Sequence, residues 1–363
     1  MKTIHLDLKR IEDDSYDILI DTNLLSKIPL DLKKNNIGNK YLIITDSNIE
    51  KLFGRDFLQS MRKNSLNAEL ISFKAGEKSK NLEVFEELIG KVHKLGLDRR
   101  SAIIALGGGV VGDIAGFVAA CYMRGINYVQ VPTSLLAMVD SSIGGKVAVD
   151  LSTGKNIVGN FYQPKRVYVD AALIKNLPSR EVINGLAEII KHALIKNKDL
   201  FLFLEKNIEK IISKDKETLI KIIKRNCEIK ADIVVKDEKE SGLRKLVNYG
   251  HTVGHALETL TNYKKYSHGE AIAIGMVVAG RIANKMGMLS NRELVRQNNL
   301  IKKAGLPIKV PQIDTNKIIN ELGKDKKVVG GKIEFVLLEE IGKAKYGISV
   351  PDRIIIRAIE ESK

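Results

Sequence analysis

A chain of 363 residues, 44% of them hydrophobic and 28% charged, carries enough apolar material for packed cores, which excludes a disordered or fibrous protein. At roughly 100 to 200 residues per domain, this length predicts two domains. The formal charge of +15 suits nucleic acid, an anionic membrane surface or an acidic small substrate. The lysines are spread through helical patterns such as 206–224, and aromatic residues make up only 5%, which argues against a base-stacking nucleic-acid platform and for solvated helix faces.

Residues 1–10 alternate apolar and charged side chains and lack the apolar stretch of a secretory signal. The longest nearly unbroken apolar stretch, 271–280, is half of the roughly 20 residues a membrane-spanning helix needs. A cytoplasmic protein without a membrane partner is expected. Cys121 and Cys227 are far apart and lack a CxxC partner or a nearby histidine, so both are expected to be buried reduced thiols.

Along the first half, β-branched runs at 41–45, 102–106 and 128–131 alternate with helical patterns, which predicts a parallel α/β sheet. After Pro178 the pattern changes to long segments of helical period at 180–197, 216–235, 247–260 and 269–285. The boundary is placed there, with Ser179 as the cap of the next helix, giving an α/β Rossmann-like domain over 1–178 and a mainly helical domain over 179–363. A small hairpin is expected over 330–342.

The run Gly107-Gly108-Gly109-Val110-Val111-Gly112-Asp113 follows an apolar strand and opens an apolar helical pattern. Glycines in that context allow backbone N–H groups and the positive helix end to approach a pyrophosphate, although a plain glycine-rich turn has the same letters. Asp46, at the end of an earlier strand with Asn48 beside it, has the chemistry to bind ribose hydroxyls. It precedes the cradle, unlike the usual Rossmann order, and a simple turn role is the alternative.

Only six histidines occur, and His251, His255 and His268 fall within eighteen residues. His251 and His255 share a helix face at i and i+4, a spacing that serves two metal ligands or one ligand and one substrate contact. No glutamate base follows His251, so this is not a zincin motif. With Glu188 on the segment 185–191, one carboxylate and two neutral imidazoles would describe a catalytic zinc-like site with an open position. Lys146, Lys155 and Arg124 stand beside glycines on expected exposed loops, Lys191 lies one turn after Glu188, and Lys230, Arg244 and Asn248 lie nearby in the helical half. Such cations suit a substrate with phosphate and carboxylate groups.

Taken in order, these motifs resemble the 3-dehydroquinate synthase family along nearly the whole chain. The similarity is carried by Gly76-Glu77-Lys78-Ser79-Lys80, Leu106 to Asp113, Arg124-Gly125, Val131-Pro132-Thr133-Ser134, Asp140 to Lys146, Gly154-Lys155-Asn156, Gly185 to Lys191, Asn248 to His255 and His268-Gly269-Glu270. Departures are Ser134 for the commoner Thr, Val147 and Asp150 for Thr and Asn, Asn176 for Thr, and His192 for Tyr.

The resemblance implies that Glu188, His251 and His268 bind one divalent metal, zinc or cobalt. It implies NAD contacts at Asp46, Asn48, Gly76, Glu77, Lys78, Ser79, Lys80, Gly108, Gly109, Val110, Val111, Gly112, Asp113, Thr133, Ser134, Lys146, Lys155, Leu173, Ile174, Lys175 and Asn176. Lys146, Asn156, Asn248 and His255 would hold the substrate phosphate, with Arg124 reaching in from a second subunit of a homodimer and Lys326 or Lys327 also near. Lys230 and Arg244 would grip a carboxylate, and Asp140 and Lys191 complete the catalytic set. The implied reaction is NAD-mediated cyclisation of an acidic sugar phosphate with loss of phosphate. A sister cyclase, a polyol dehydrogenase of the same fold and a basic nucleic-acid-binding protein are the alternatives; phosphate release from the heptulosonate substrate and a salt-sensitive gel shift would tell them apart.

Overall fold

The computed structural model describes residues 3–8, 13–323, 328–329 and 332–363. Lys326 and Lys327 lie outside them. Six strands, β1 (Asp17–Asp21), β2 (Tyr41–Asp46), β3 (Ala68–Phe73), β4 (Ala102–Gly107), β5 (Asn127–Pro132) and β8 (Arg166–Asp170), form one sheet in the order β1-β8-β5-β4-β2-β3. Every pairing in it is parallel. Between β5 and β8 the chain makes a separate antiparallel pair, β6 (Lys146–Leu151) and β7 (Gly154–Phe161).

The apolar runs of β2 and β4 are buried on both faces, which is why they read as continuous rather than alternating. Leu42, Ile44, Ile103 and Ala105 pack on one side with Ile114 and Val118 of the helix Gly109–Cys121. Tyr41, Ile43, Ile104 and Leu106 pack on the other with Ile28, Phe57 and Met61. The period of two along each strand divides them between the faces.

Beyond Pro178 lie the helices Ser179–Lys196, Lys198–Ile212, Lys216–Lys236, His251–Leu260, His268–Lys285 and Asn291–Lys303. Leu135, Met138, Val139 and Ile143, from the segment after β5, share a core with Leu186, Ile189 and Ile190 of the first of these helices. That segment therefore sits between the sheet and the helices.

Several expectations change. Segment 247–260 is not one helix, because Gly250 takes a left-handed φ of 79° between the turn Leu243–Asn248 and the helix that starts at His251. Ser179 does not cap. Pro178, extended and already fixed in φ, is the N-cap residue, and Ser179 is the first helical residue. Cys121 is exposed rather than buried, since it ends the helix Gly109–Cys121 on its solvent side, whereas Cys227 is buried as expected. Burial pushes the Cys227 thiol up to about 12, so it stays protonated. The C-terminal hairpin pairs Lys332–Glu340 with Lys343–Ser349 and turns at Gly342, at φ 94°. Among the described residues no helix is long and apolar enough to cross a membrane.

Candidate active site

The topology creates the cleft. β2 and β4 are neighbours, with Thr45 opposite Leu106, yet the chain leaves β2 toward β3 on one side and β4 toward β5 on the other. In open α/β sheets such a switch point leaves a crevice outside the carboxyl ends of the strands. Asp46 and Gly108 therefore stand side by side despite 62 residues of separation in sequence, and both line a cleft of about 1780 Å³. The Oδ1 of Asp46 accepts the backbone N–H of Asn48 at 2.8 Å and of Ile49 at 3.0 Å, so a turn role and a place on the cleft wall belong to the same residue.

The helix Gly109–Cys121 points its first turn at this cleft. Its opening N–H groups have no acceptor within the helix, and Gly108 caps it without a side chain. A Cβ on Gly108 or Gly109 would come 3.5 Å from Ser134 Oγ or 3.2 Å from Ser141 Oγ, so the bare backbone faces polar space. These features fit a pyrophosphate. Gly112 differs: a Cβ there would come 2.8 Å from Gln130 Oε1, and it serves packing against β5 instead.

Other expected cofactor residues divide in the same way. Asn48, Gly76, Glu77, Lys80, Gly109, Val110, Val111, Asp113, Thr133, Ser134, Lys155, Leu173 and Asn176 line the cleft. Lys78, Ser79, Ile174 and Lys175 do not: Ser79 and Ile174 are buried, the first bonded to the Lys74 carbonyl at 2.6 Å, and Lys175 is exposed. They share two short 3-10 turns with Glu77, Leu173 and Asn176, which do line the cleft. Lys80 reaches Asp113 and, at 2.5 Å, Asn156 Oδ1, which ties the turn Glu77–Ser79 to β7.

Glycines assemble the metal-type cluster. Gly275 lies so close to Gly250 that a Cβ would meet its carbonyl oxygen at 1.9 Å, and one on Gly254 would meet Ile272 Cα at 3.0 Å. The helices of His251 and His268 therefore cross at backbone contact. Gly269 N–H donates to Asn184 Oδ1 at 2.6 Å, which sets the start of the His268 helix against the helix one turn before Glu188. A Cβ on Gly185 would come 2.6 Å from the Leu136 nitrogen, so that helix is pressed in turn against the segment after β5.

As a result, Glu188 Oε1 lies 3.5 Å from His251 Nε2 and 3.4 Å from His268 Nε2. Glu188 is fully buried and forms an ion pair with Lys191, yet neither of its carboxylate oxygens has a hydrogen-bond partner among the described residues. Lys191 supplies one compensating cation for this buried carboxylate, while Oε1 faces the two imidazoles. Burial would lower the His268 imidazole, but Glu188 and Glu258 outweigh it and push it up to about 10. Glu188, His251 and His268 bring three donor atoms within 4.8 Å of one another, a set that fits a divalent ion.

Around it the cations are already engaged. Lys230 Nζ lies 2.5 Å from Asp140 Oδ1, and although burial would raise the Asp140 carboxyl, Lys230, Lys191 and His192 hold it well below the usual carboxylate range. Arg244, almost fully buried, donates to the carbonyls of Gly144, at 3.0 Å, and Glu238 rather than pairing with Glu240. Lys146 instead pairs with Glu240, whose Oε1 accepts from Asn248 Nδ2 at 2.7 Å. Lys146 and Lys155 were expected on loops; Lys146 begins β6 straight after the positive-φ turn at Gly144 and Gly145, and Lys155 sits in β7, which Gly154 starts. Arg124 is exposed and does not line this cleft. Asn156, Asn248 and His255 do line it, while Lys191, Lys230 and Arg244 lie buried behind the wall. His192 is fully buried, its Nδ1 donating to Asn226 Oδ1 at 3.0 Å.

Of the lining carboxylates not expected as site residues, Glu240 and Glu258 contact residues that were. Glu240 holds the lysine and asparagine just described, and nothing local in the sequence marks it. Glu258 lies seven residues after His251 and three after His255, a spacing that places it on the same helix face and could have drawn attention to it.

Two family models match consecutive stretches, the 3-dehydroquinate synthase N-terminal model over residues 70–184 and the C-terminal model over 185–328. The chain belongs to the 3-dehydroquinate synthase family. A 3-dehydroquinate synthase from Prochlorococcus marinus subsp. pastoris is 47% identical over 337 residues, covering 92% of this chain and 93% of the relative. Among solved structures, 2-epi-5-epi-valiolone synthase from Streptomyces hygroscopicus, with NAD+ and Zn2+ bound, superposes with a TM-score of 0.90 at 27% identity, covering 98% of this chain and 99% of the other. A 2-deoxy-scyllo-inosose synthase complexed with carbaglucose-6-phosphate, NAD+ and Co2+ gives 0.88 at 29% identity, covering 96% and 97%. The family's fold is thus a parallel-sheet half with a mostly helical half, and its neighbours carry the cofactor and metal classes that the glycine cradle and the Glu188 cluster fit.

Proposed function

We propose that this chain is a 3-dehydroquinate synthase, a phosphate-eliminating lyase that converts 3-deoxy-D-arabino-heptulosonate 7-phosphate to 3-dehydroquinate. The observation that carries this reading is the buried carboxylate of Glu188 within 3.5 Å of two imidazoles, one of which, that of His268, lines the same cleft as the glycine cradle. Bound there, NAD supplies reversible hydride acceptance, and the divalent metal polarises the oxygen on the carbon to be oxidised.

The chain's own residues do the rest by positioning. Glu188, His251 and His268 hold the ion and leave a position for the substrate hydroxyl. The amides of Gly109 to Val111 take the pyrophosphate, and Asp46 and Asn48 the ribose. Lys146, Asn156, Asn248 and His255 receive the phosphate, so substrate exchanges the internal carboxylate of Glu240 for its own anion at Lys146 and Asn248. Lys230 and Arg244, buried behind the cleft wall and held by Asp140 and the Gly144 carbonyl, are assigned the substrate carboxylate by the family resemblance. Oxidation acidifies the neighbouring C–H; the departing phosphate can accept that proton, and a closed cleft keeps water from the later ring-opening and aldol steps.

In this reading residues 1–178 serve as the NAD-binding domain and 179–363 as the metal- and substrate-binding domain of a cytoplasmic homodimer, with Arg124, exposed and outside the lining of its own cleft, contributing to a partner's phosphate site. Purified protein incubated with heptulosonate phosphate, NAD and zinc should release inorganic phosphate and dehydroquinate in equal amounts, with no net NADH. Failure to release phosphate from this substrate would overturn the assignment in favour of a sister cyclase or dehydrogenase.

A further inference from the structure

The ring of His268 stands between two carboxylates. Its Nε2 is 3.4 Å from Glu188 Oε1 and its Nδ1 is 3.5 Å from Glu258 Oε1. A neutral imidazole offers one lone pair and carries its proton on the other nitrogen. When Nε2 gives its lone pair to an ion held with Glu188 and His251, the proton must sit on Nδ1, the nitrogen that faces Glu258. His251 meets the same requirement differently: its Nδ1 lies 3.2 Å from the carbonyl oxygen of Tyr249.

We infer that Glu258 is a positioning residue for the metal cluster, accepting the Nδ1 proton of His268 so that Nε2 presents its lone pair beside Glu188. This rests on the metal assignment made above. The two imidazoles are then unequal, one oriented by a neutral carbonyl and the other by a carboxylate, which makes His268 the stronger donor to a cation. The placement is built rather than incidental. Glu258 is 4% exposed, and a carboxylate that deep needs compensation. Besides His268 it has Lys155 Nζ at 3.9 Å, and Lys155 is itself held 2.9 Å from Glu77 and 4.3 Å above the ring of Tyr263. A chain of charges thus runs from the turn Glu77–Ser79 at the cofactor side to the metal side, with Glu258 as its last link.

The competing role is direct ligation, because His255, Glu258 and His268 also bring donor atoms within 4.8 Å of one another. Metal titration of the chelated, refilled protein separates the two. Wild type should bind one zinc or cobalt per chain. Glu258→Gln, which keeps the shape and removes the charge, should still bind one, roughly 10- to 100-fold more weakly in chelator competition, with a shifted cobalt absorption band. Glu258→Asp should recover part of the affinity, and it carries the test should the glutamine variant not fold. Unchanged affinity and cobalt spectrum in both variants, or two ions in wild type falling to one in Glu258→Gln, would overturn the inference. Glu188→Ala is the control: if it keeps its metal, the metal assignment fails instead of the role of Glu258.

Discussion

The two walls of the cleft are built on different terms. The sheet wall presents backbone: the amides after β4, left bare by glycine, meet the cavity, and their placement follows from a local strand-turn-helix unit. The helical wall presents side chains from three helices, and Glu188 is 63 residues from His251 in sequence. Those side chains converge only because glycines let the helices touch. A site made of backbone is robust to neighbouring side chains and sensitive to any added Cβ, whereas a site made of side chains depends on the packing of everything beneath it.

The sharpest break of that contrast is at Glu188. Glu188→Ala should weaken divalent-metal binding by about a thousandfold or more, ~4 kcal/mol, while NAD affinity in the absence of metal stays near that of wild type. Chelator competition and calorimetric NAD titration read the two sides separately, and retention of tight metal would remove Glu188 from the cluster.

Next is Gly275→Ala. With a Cβ placed 1.9 Å from the Gly250 carbonyl oxygen, the helix crossing must open, at a cost of about 3 kcal/mol in chemical denaturation, with metal affinity falling alongside. A variant as stable as wild type would mean that the histidine helices do not need backbone contact.

Gly109→Val probes the other wall. Its Cβ meets only Ser141 Oγ, at 3.2 Å, so stability should change by about 1 kcal/mol or less while NAD binding weakens more than about thirtyfold, because the side chain stands where backbone must approach phosphate. Full NAD affinity in this variant would move the cradle elsewhere.

The smallest effect is a pH slope. Burial, reinforced by Lys191, lowers the His192 imidazole from 6.5 to about 4 in the folded protein. As pH falls below 6.5 the unfolded chain takes up this proton first, so the contribution is intact above 6.5 and is lost progressively down to about pH 4. The loss is about 1.4 kcal/mol per pH unit within that window. His192→Gln should flatten the stability profile between pH 6.5 and 5 relative to wild type; an unchanged slope would show that His192 is already charged in the folded state.

Local signals were legible where one element carries the whole meaning. The runs at 41–45, 102–106 and 128–131 are parallel strands whose burial on both faces makes them mostly apolar, with Thr45 and Gln130 the buried polar exceptions. Gly108 and Gly109 of the glycine run face the cleft, whereas the missing side chain of Gly112 answers to Gln130 on the neighbouring strand, a contact that no local spacing reveals. Gly250 hid inside an apparent helix because its left-handed conformation follows from its contact with Gly275, 25 residues later.

The sequence by itself determined the types of donor available: three clustered histidines, a glutamate with a lysine one turn on, and a glycine turn between strand and helix. Those choices are chemical and survive in one dimension. Tertiary structure alone decided which donors meet. Asp46 lies beside a cradle that comes 62 residues later because β2 and β4 are adjacent at the sheet's switch point. Glu258 reaches the far nitrogen of His268, and Lys146 rather than Arg244 became the partner of Glu240. Such pairings depend on strand order and helix crossing, and these are set by the burial of the whole core rather than by any neighbouring residue.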